Sequence, residues 1–109
     1  MLSSCRVVPC ATDTPFAVLQ LERVRETLAL EYPRAAKVPI LIADSTDLAS
    51  LAKVASQTAC VATTVGPYAL YGSLLVQACA ETGTSYCDLT GETSWHSLMF
   101  NRHERQAKQ

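Results

Sequence analysis

Glycine is scarce in this chain. Its 109 residues hold four, Gly66, Gly72, Gly83 and Gly91, and none precedes residue 66. Glycine-rich turns that cradle phosphates need clustered glycines, so G-x-G-x-x-G is absent. The interval from Gly66 to Gly72 is one residue too long for a P-loop, and no Lys follows it. Charge of either sign is also in short supply. A formal net charge of -1 leaves no electrostatic footprint for nucleic acid or an anionic membrane surface. No run approaches the roughly 18 apolar residues of a membrane span. The first ten residues carry one Arg and no long apolar core, which argues against a secretory signal. The five cysteines, Cys5, Cys10, Cys60, Cys79 and Cys87, are odd in number and lack C-x-x-C spacing. A disulfide framework or a zinc site is therefore not expected. The cysteines read as buried small hydrophobes in a reducing, intracellular setting.

What is present is a globular composition, with 49% hydrophobic and 17% charged residues, enough for one modest core. The first 14 residues show no clear period. Thr14-Pro15 then opens a helix, with Leu21, Val24 and Leu28 as its apolar stripe, ending before Pro33. Val38-Pro39-Ile40-Leu41-Ile42-Ala43 is a continuous apolar run, which predicts a strand covered on both faces. Asp44 or Ser45 is placed to cap a helix carrying Leu48, Leu51 and Ala55. Residues 59–65 form a second, β-branched run that stops at Gly66-Pro67. Ser73 opens another helix, and Gly83 suits its left-handed terminator. Residues 85–89 predict a third strand. Thr93 or Ser94 then caps a last helix, which Trp95 and Phe100 dock on apolar neighbours. The order α-β-α-β-α-β-α, with crossovers this long, predicts an α/β fold with a partial, doubly wound parallel sheet.

Ligands in such folds bind beyond the carboxyl ends of the strands. Three candidate groups lie there. Gly66-Pro67-Tyr68 offers either a close backbone approach and a stacking ring, or an ordinary strand-to-helix turn. Asp44 suits a ribose or adenine edge, or a helix cap. Asp88 and Glu92, four apart around Gly91, suit acid/base chemistry, or Glu92 suits the first turn of the last helix. Glu92 and His96 share a helix face but lack a third metal ligand, and His103 reads as a solvated face residue.

These motifs carry a resemblance. Thr63-Thr64-Val65-Gly66-Pro67-Tyr68 with Tyr71-Gly72, then Ala78-Cys79 and Gly83, then Tyr86-Cys87-Asp88-Leu89-Thr90-Gly91-Glu92, resemble the saccharopine dehydrogenase-like oxidoreductases. That family is related to bacterial trans-acting enoyl reductases, and the similarity runs from about Leu21 to the C-terminus. The resemblance implies a Rossmann-type NAD(P)-binding domain and hydride transfer with NAD or NADP. It implies Asp44, Gly66, Pro67 and Tyr68 beside the cofactor, and Asp88, Gly91 and Glu92 at the substrate cleft. The eukaryotic branch implies lipid metabolism and a place at lipid droplets, mitochondria or membranes. The family opens with a strand and G-x-G-x-x-G, which this chain lacks. The G-R pair that ends the family's second strand falls on Pro15 and Phe16. The expectation is therefore an irregular segment over residues 1–18 and a partial Rossmann domain over residues 19–109. The first strand, glycine turn and substrate domain would be missing, and the chain alone would be inactive. The alternative is a non-catalytic interaction fragment that pairs, or self-associates, through an exposed sheet edge.

Overall fold

The computed structural model describes residues 15–109 of the chain. Helix α1 spans Pro15–Glu31, and a 3-10 turn over Pro33–Lys37 follows it. Proline suits the start of each, since a first-turn N–H has no helical acceptor. The cap expected at Thr14 lies outside the described residues. Of the expected apolar stripe on α1, Leu21 is buried, whereas Val24 and Leu28 stay exposed. Arg25 Nη1 reaches the carbonyl of Val38 at 3.3 Å and ties the helix to the segment beyond.

That segment departs from expectation. Residues 38–43 hold only isolated bridge positions, at Ile40 and Ala43, and form no strand. A strand exists only through its ladder partners, and an apolar run cannot supply them itself. Ala43 is nonetheless fully buried. Helix α2, Leu48–Ala55, is capped by Asp47, whose carboxylate accepts from the Ala49 amide at 3.0 Å. This corrects the cap expected at Asp44 or Ser45. Asp44 instead folds an Asx turn over Thr46, just upstream.

Strand β1, Cys60–Thr63, leads through the one-turn helix α3, Tyr68–Tyr71, into α4, Ser73–Thr82. Gly83 ends α4 in the left-handed region at φ 68°, as expected of a glycine there. Strand β2, Ser85–Asp88, then pairs parallel to β1 in the register Cys60 to Ser85 through Thr63 to Asp88. Helix α5 runs over Thr93–Ala107, with Glu92 rather than Thr93 or Ser94 at its N-cap. Among the described residues the fold is therefore α/β, with five α-helices and a two-stranded parallel sheet.

Two apolar clusters hold it. Ala43, Leu51, Val54, Ala55, Val61, Ala78 and Cys79 join α2, β1 and α4. Thr84, buried just before β2, donates to the Ala55 carbonyl at 2.9 Å and closes that layer. Tyr68, Trp95 and Met99 join α3 to α5. Among the described residues the sheet has one covered face. Val61 and Tyr86 point into the core, while Cys60, Ala62, Ser85 and Cys87 are exposed on the other side. The cysteines depart from expectation accordingly. Only Cys79 is buried, Cys60 and Cys87 are exposed, and Cys5 and Cys10 lie outside the described residues.

Candidate functional site

Because β1 and β2 are parallel and in register, Thr63 and Asp88 end side by side. The loops that follow leave from the same end of the sheet. Tyr68 stands between them. Its hydroxyl donates to the Thr63 carbonyl and accepts from the Leu89 amide, each at 3.3 Å, and so touches both strand ends. Its ring is buried and tilts on Trp95, with centroids 5.6 Å apart. An aromatic pair of this geometry is worth about 1 kcal/mol beyond its burial. The stacking ring expected for a ligand is thus turned into the second core cluster. Trp95 is fixed in turn by its indole N–H, which donates to Ser73 Oγ at 2.9 Å.

Glu92 completes the joint from the second loop. Its two carboxylate oxygens accept from the amides of Tyr68 and Ala69, at 2.7 and 2.9 Å. These are the first amides of α3, donors that no helical carbonyl satisfies. The acid therefore caps a helix 24 residues away in sequence. The backbone carbonyl of Glu92 accepts from the His96 amide at 2.9 Å, in the first turn of α5. Asp88 is likewise engaged. It accepts from the Tyr86 hydroxyl at 2.8 Å and from the Thr90 amide at 2.9 Å. Burial, then the hydrogen bond and charge of Asp88, hold the Tyr86 phenol far above its usual range. Thr90 Oγ1 accepts from the Glu92 amide at 3.0 Å, so Asp88 and Glu92 are linked through one turn.

The sequence-predicted residues thus fall into two groups. Gly66, Pro67, Tyr68, Asp88, Gly91 and Glu92 meet at the strand ends. Asp44 lies elsewhere, at the end of the 38–43 segment. Two hydrogen bonds from Thr46, side chain first and then amide, lower its carboxyl from the usual range. Its amide donates to Ser50 Oγ at 3.1 Å.

Gly66 and Gly91 are exposed. A Cβ on Gly66 would meet the Tyr68 ring at 3.4 Å, an ordinary contact, and one on Gly91 would meet nothing. Neither glycine is therefore demanded by packing among the described residues. The position that demands glycine is Gly72, between α3 and α4. A Cβ there would lie 2.8 Å from both the Trp95 ring and the Tyr68 carbonyl. Sequence reasoning passed over Gly72 and Trp95 as partners. The only signal was a glycine directly before a helix-opening serine.

The described residues contain no group of three or more metal ligands. They also lack a G-x-G-x-x-G turn, so they do not fit the pyrophosphate of a dinucleotide. A groove of about 950 Å³ runs between β2, α4 and α5, bordered by Val76, Tyr86, Asp88, Met99 and Phe100. Neither Asp44 nor the Gly66 turn borders it. Phe100, expected to dock α5, is instead exposed at 58%.

The fold and this joint describe an α/β protein of the parallel, crossover-connected kind, with its chemistry-bearing residues gathered at the carboxyl ends of its strands. The relatives give this class a direction. Over 86 residues the chain is 44% identical to the trans-acting enoyl reductase of Mycobacterium leprae (strain TN), a match covering 79% of this chain and 21% of that protein. The trans-acting enoyl reductase of Mycobacterium tuberculosis (strain ATCC 25618 / H37Rv) is 41% identical over the same length and shares. A Caenorhabditis elegans protein named lipid droplet localized protein is 41% identical over 70 residues, 64% of this chain and 16% of its own. No family model and no solved structure matches. The chain is thus similar over most of its length to proteins named trans-acting enoyl reductase, and it spans about a fifth of the length of the curated relatives it matches. No helix among the described residues is long and apolar enough to cross a membrane.

Proposed function

We propose that this chain is part of the NAD(P)-binding domain of a saccharopine dehydrogenase-like oxidoreductase. In this reading it carries the loops beyond the fourth and fifth strands of a Rossmann sheet and lacks the phosphate cradle. The parent activity is hydride transfer with NAD or NADP, in lipid metabolism. A neighbourhood at lipid droplets is supported by the name of the nematode relative. One observation carries the reading. The chain, similar over 86 residues to proteins named trans-acting enoyl reductase, has two parallel strands whose carboxyl-end loops are clasped by Glu92 into one surface. Gly66, Pro67 and Tyr68 belong to the cofactor side of that surface, Tyr68 as the residue that sets the turn's shape, and Asp44, outside it, belongs to the ribose or adenine end of the cofactor. Asp88, Gly91 and Glu92 belong to the substrate side, where Glu92 positions the Gly66 turn.

Taken alone, the chain should bind either dinucleotide no tighter than about millimolar, some 4 kcal/mol at most. Fusing a relative's strand, glycine turn and second strand ahead of residue 19 should restore binding. In that fusion Gly66→Val should abolish the binding, while Asp88→Asn should leave it nearly unchanged. Calorimetric or fluorescence titration reads each case. Micromolar binding by the chain alone, or undiminished binding by the Gly66→Val fusion, overturns the assignment.

A second reading is supported by the sheet itself. Among the described residues β2 has a strand on one side only, and Val65 and Leu89 stand exposed beyond the strand ends. Unpaired edges invite pairing with another chain. A concentration-dependent shift in sedimentation would favour this reading, and a monodisperse monomer would remove it.

A further inference from the structure

The bare face of the sheet carries two free thiols. The register sets Cys60 opposite Ser85 and Cys87 opposite Ala62. Alternate residues of a strand share a face, so these four side chains lie together with the thiols on one diagonal. All four are exposed. The other two corners are Ala62 and Ser85, which are small and leave the thiols open to a bulky reagent.

Two geometric limits decide what this pair can take. Strands about 4.8 Å apart with a two-residue offset put the Cα atoms roughly 8 Å apart on an untwisted lattice. A direct disulfide tolerates no more than about 7 Å without backbone movement. An atom inserted between the sulfurs relaxes that limit. With bonds of about 2.3 Å and a tetrahedral angle, it spans sulfurs about 3.8 Å apart. A divalent metal would need further protein ligands, and the described residues offer no group of three. A trivalent atom that already carries one organic group needs only two.

We propose that Cys60 and Cys87 form a two-thiol site for trivalent organoarsenicals and thiophilic electrophiles of that kind. The exchange is balanced without an oxidant. An arsine oxide, R–As=O, takes two thiols. Two As–S bonds form, both S–H bonds break, and the arsenic oxygen leaves with both protons as water. Arsenic stays trivalent and both sulfurs keep their oxidation state. Cys79, buried on the core side of α4, lies outside the site.

Phenylarsine oxide tests the site directly. One equivalent should add once per chain by intact mass. A dithiol should strip the adduct, whereas a monothiol at the same concentration should not. Peptide mapping should place it on Cys60 and Cys87. Cys60→Ser and Cys87→Ser should each weaken labelling by about 100-fold or more, since the second bond gains from an effective concentration that a lone thiol lacks. A Cys5→Ser, Cys10→Ser double variant should label like the parent. A measurement needing no variant is cross-linking of the parent chain by dibromobimane, whose fluorescence requires both arms to react. It should join the same two residues. Retained labelling in either single variant, lost labelling in the double variant, or a bimane link elsewhere overturns the proposal.

Discussion

Removing the Glu92 carboxylate should loosen the strand-end joint by an amount the structure allows to be worked out. The acid accepts two amide hydrogen bonds, at 2.7 Å from Tyr68 and 2.9 Å from Ala69. A hydrogen bond to a charged group contributes about 1.5–3 kcal/mol when its loss leaves a donor dry. Ala69 is exposed, so water replaces its bond. Tyr68 is 6% exposed, and its amide is left without a partner. Glu92→Ala should therefore cost about 2 kcal/mol, essentially one bond rather than two. Glu92→Gln keeps one acceptor, which can turn to the Tyr68 amide, and should cost about 1 kcal/mol. Each kcal/mol lowers the melting temperature of a domain this size by roughly 4–8 °C. Trp95 is the only tryptophan and rests on Tyr68, so its fluorescence reports on this joint alone. The assay is a thermal or urea melt followed by Trp95 emission for the parent, Glu92→Gln and Glu92→Ala. If both variants melt within about 0.3 kcal/mol of the parent, the carboxylate does not hold the turn and the reasoning is refuted.

Gly72→Ala should destabilise by about 1–2 kcal/mol. Overpacking against Trp95 and the Tyr68 carbonyl costs about 1–3 kcal/mol, and the smaller entropy of the unfolded chain returns less than 1; denaturant midpoints measure it. Gly83→Ala should cost about 1 kcal/mol through backbone strain alone, since φ is 68° and a Cβ there meets nothing, and Gly83→Asn should recover part of that loss. Burial, then the nearby Cys60, pushes the Cys79 thiol up to about 11 from an ordinary 9.0. The folded chain thus keeps that proton longer than the unfolded one. Its contribution to stability is whole below pH 9 and is lost as pH rises toward 11. Urea melts across that window should show a fall that is smaller in Cys79→Ala, the remainder coming from the Tyr86 phenol, which is also held above its usual range.

Helices α2, α4 and α5 were legible because their signals are local. Leu51 and Ala55 recur at helical spacing, and Gly83 is the residue a left-handed stop requires. The parallel pairing of β1 and β2 followed from the long crossover between them. What failed were statements about partners. Residues 38–43 have the composition of a buried strand, yet a ladder needs a second chain segment that composition does not name. Asp44, Ser45 and Asp47 are all competent caps, and only the helix's true start selects Asp47. Cys60 and Cys87 alternate with core residues, so their exposure depends on which face of the sheet is covered. Glu92 was legible as a polar residue near a helix start. That the helix it caps is α3 depends on parallel strands bringing position 68 to position 92.

The Glu92 clasp also sets how this region can be inherited. Tyr68, Gly72, Trp95 and Glu92 come from two stretches separated by a strand and a helix, yet none of the four keeps its surroundings if the other stretch is exchanged. A recombination breakpoint between residues 73 and 91 would pair a Gly66 turn from one parent with an acid and an indole from another. Shuffled libraries of this chain and its relatives should therefore recover folded crossovers outside that interval, with the two stretches passing together as one heritable block.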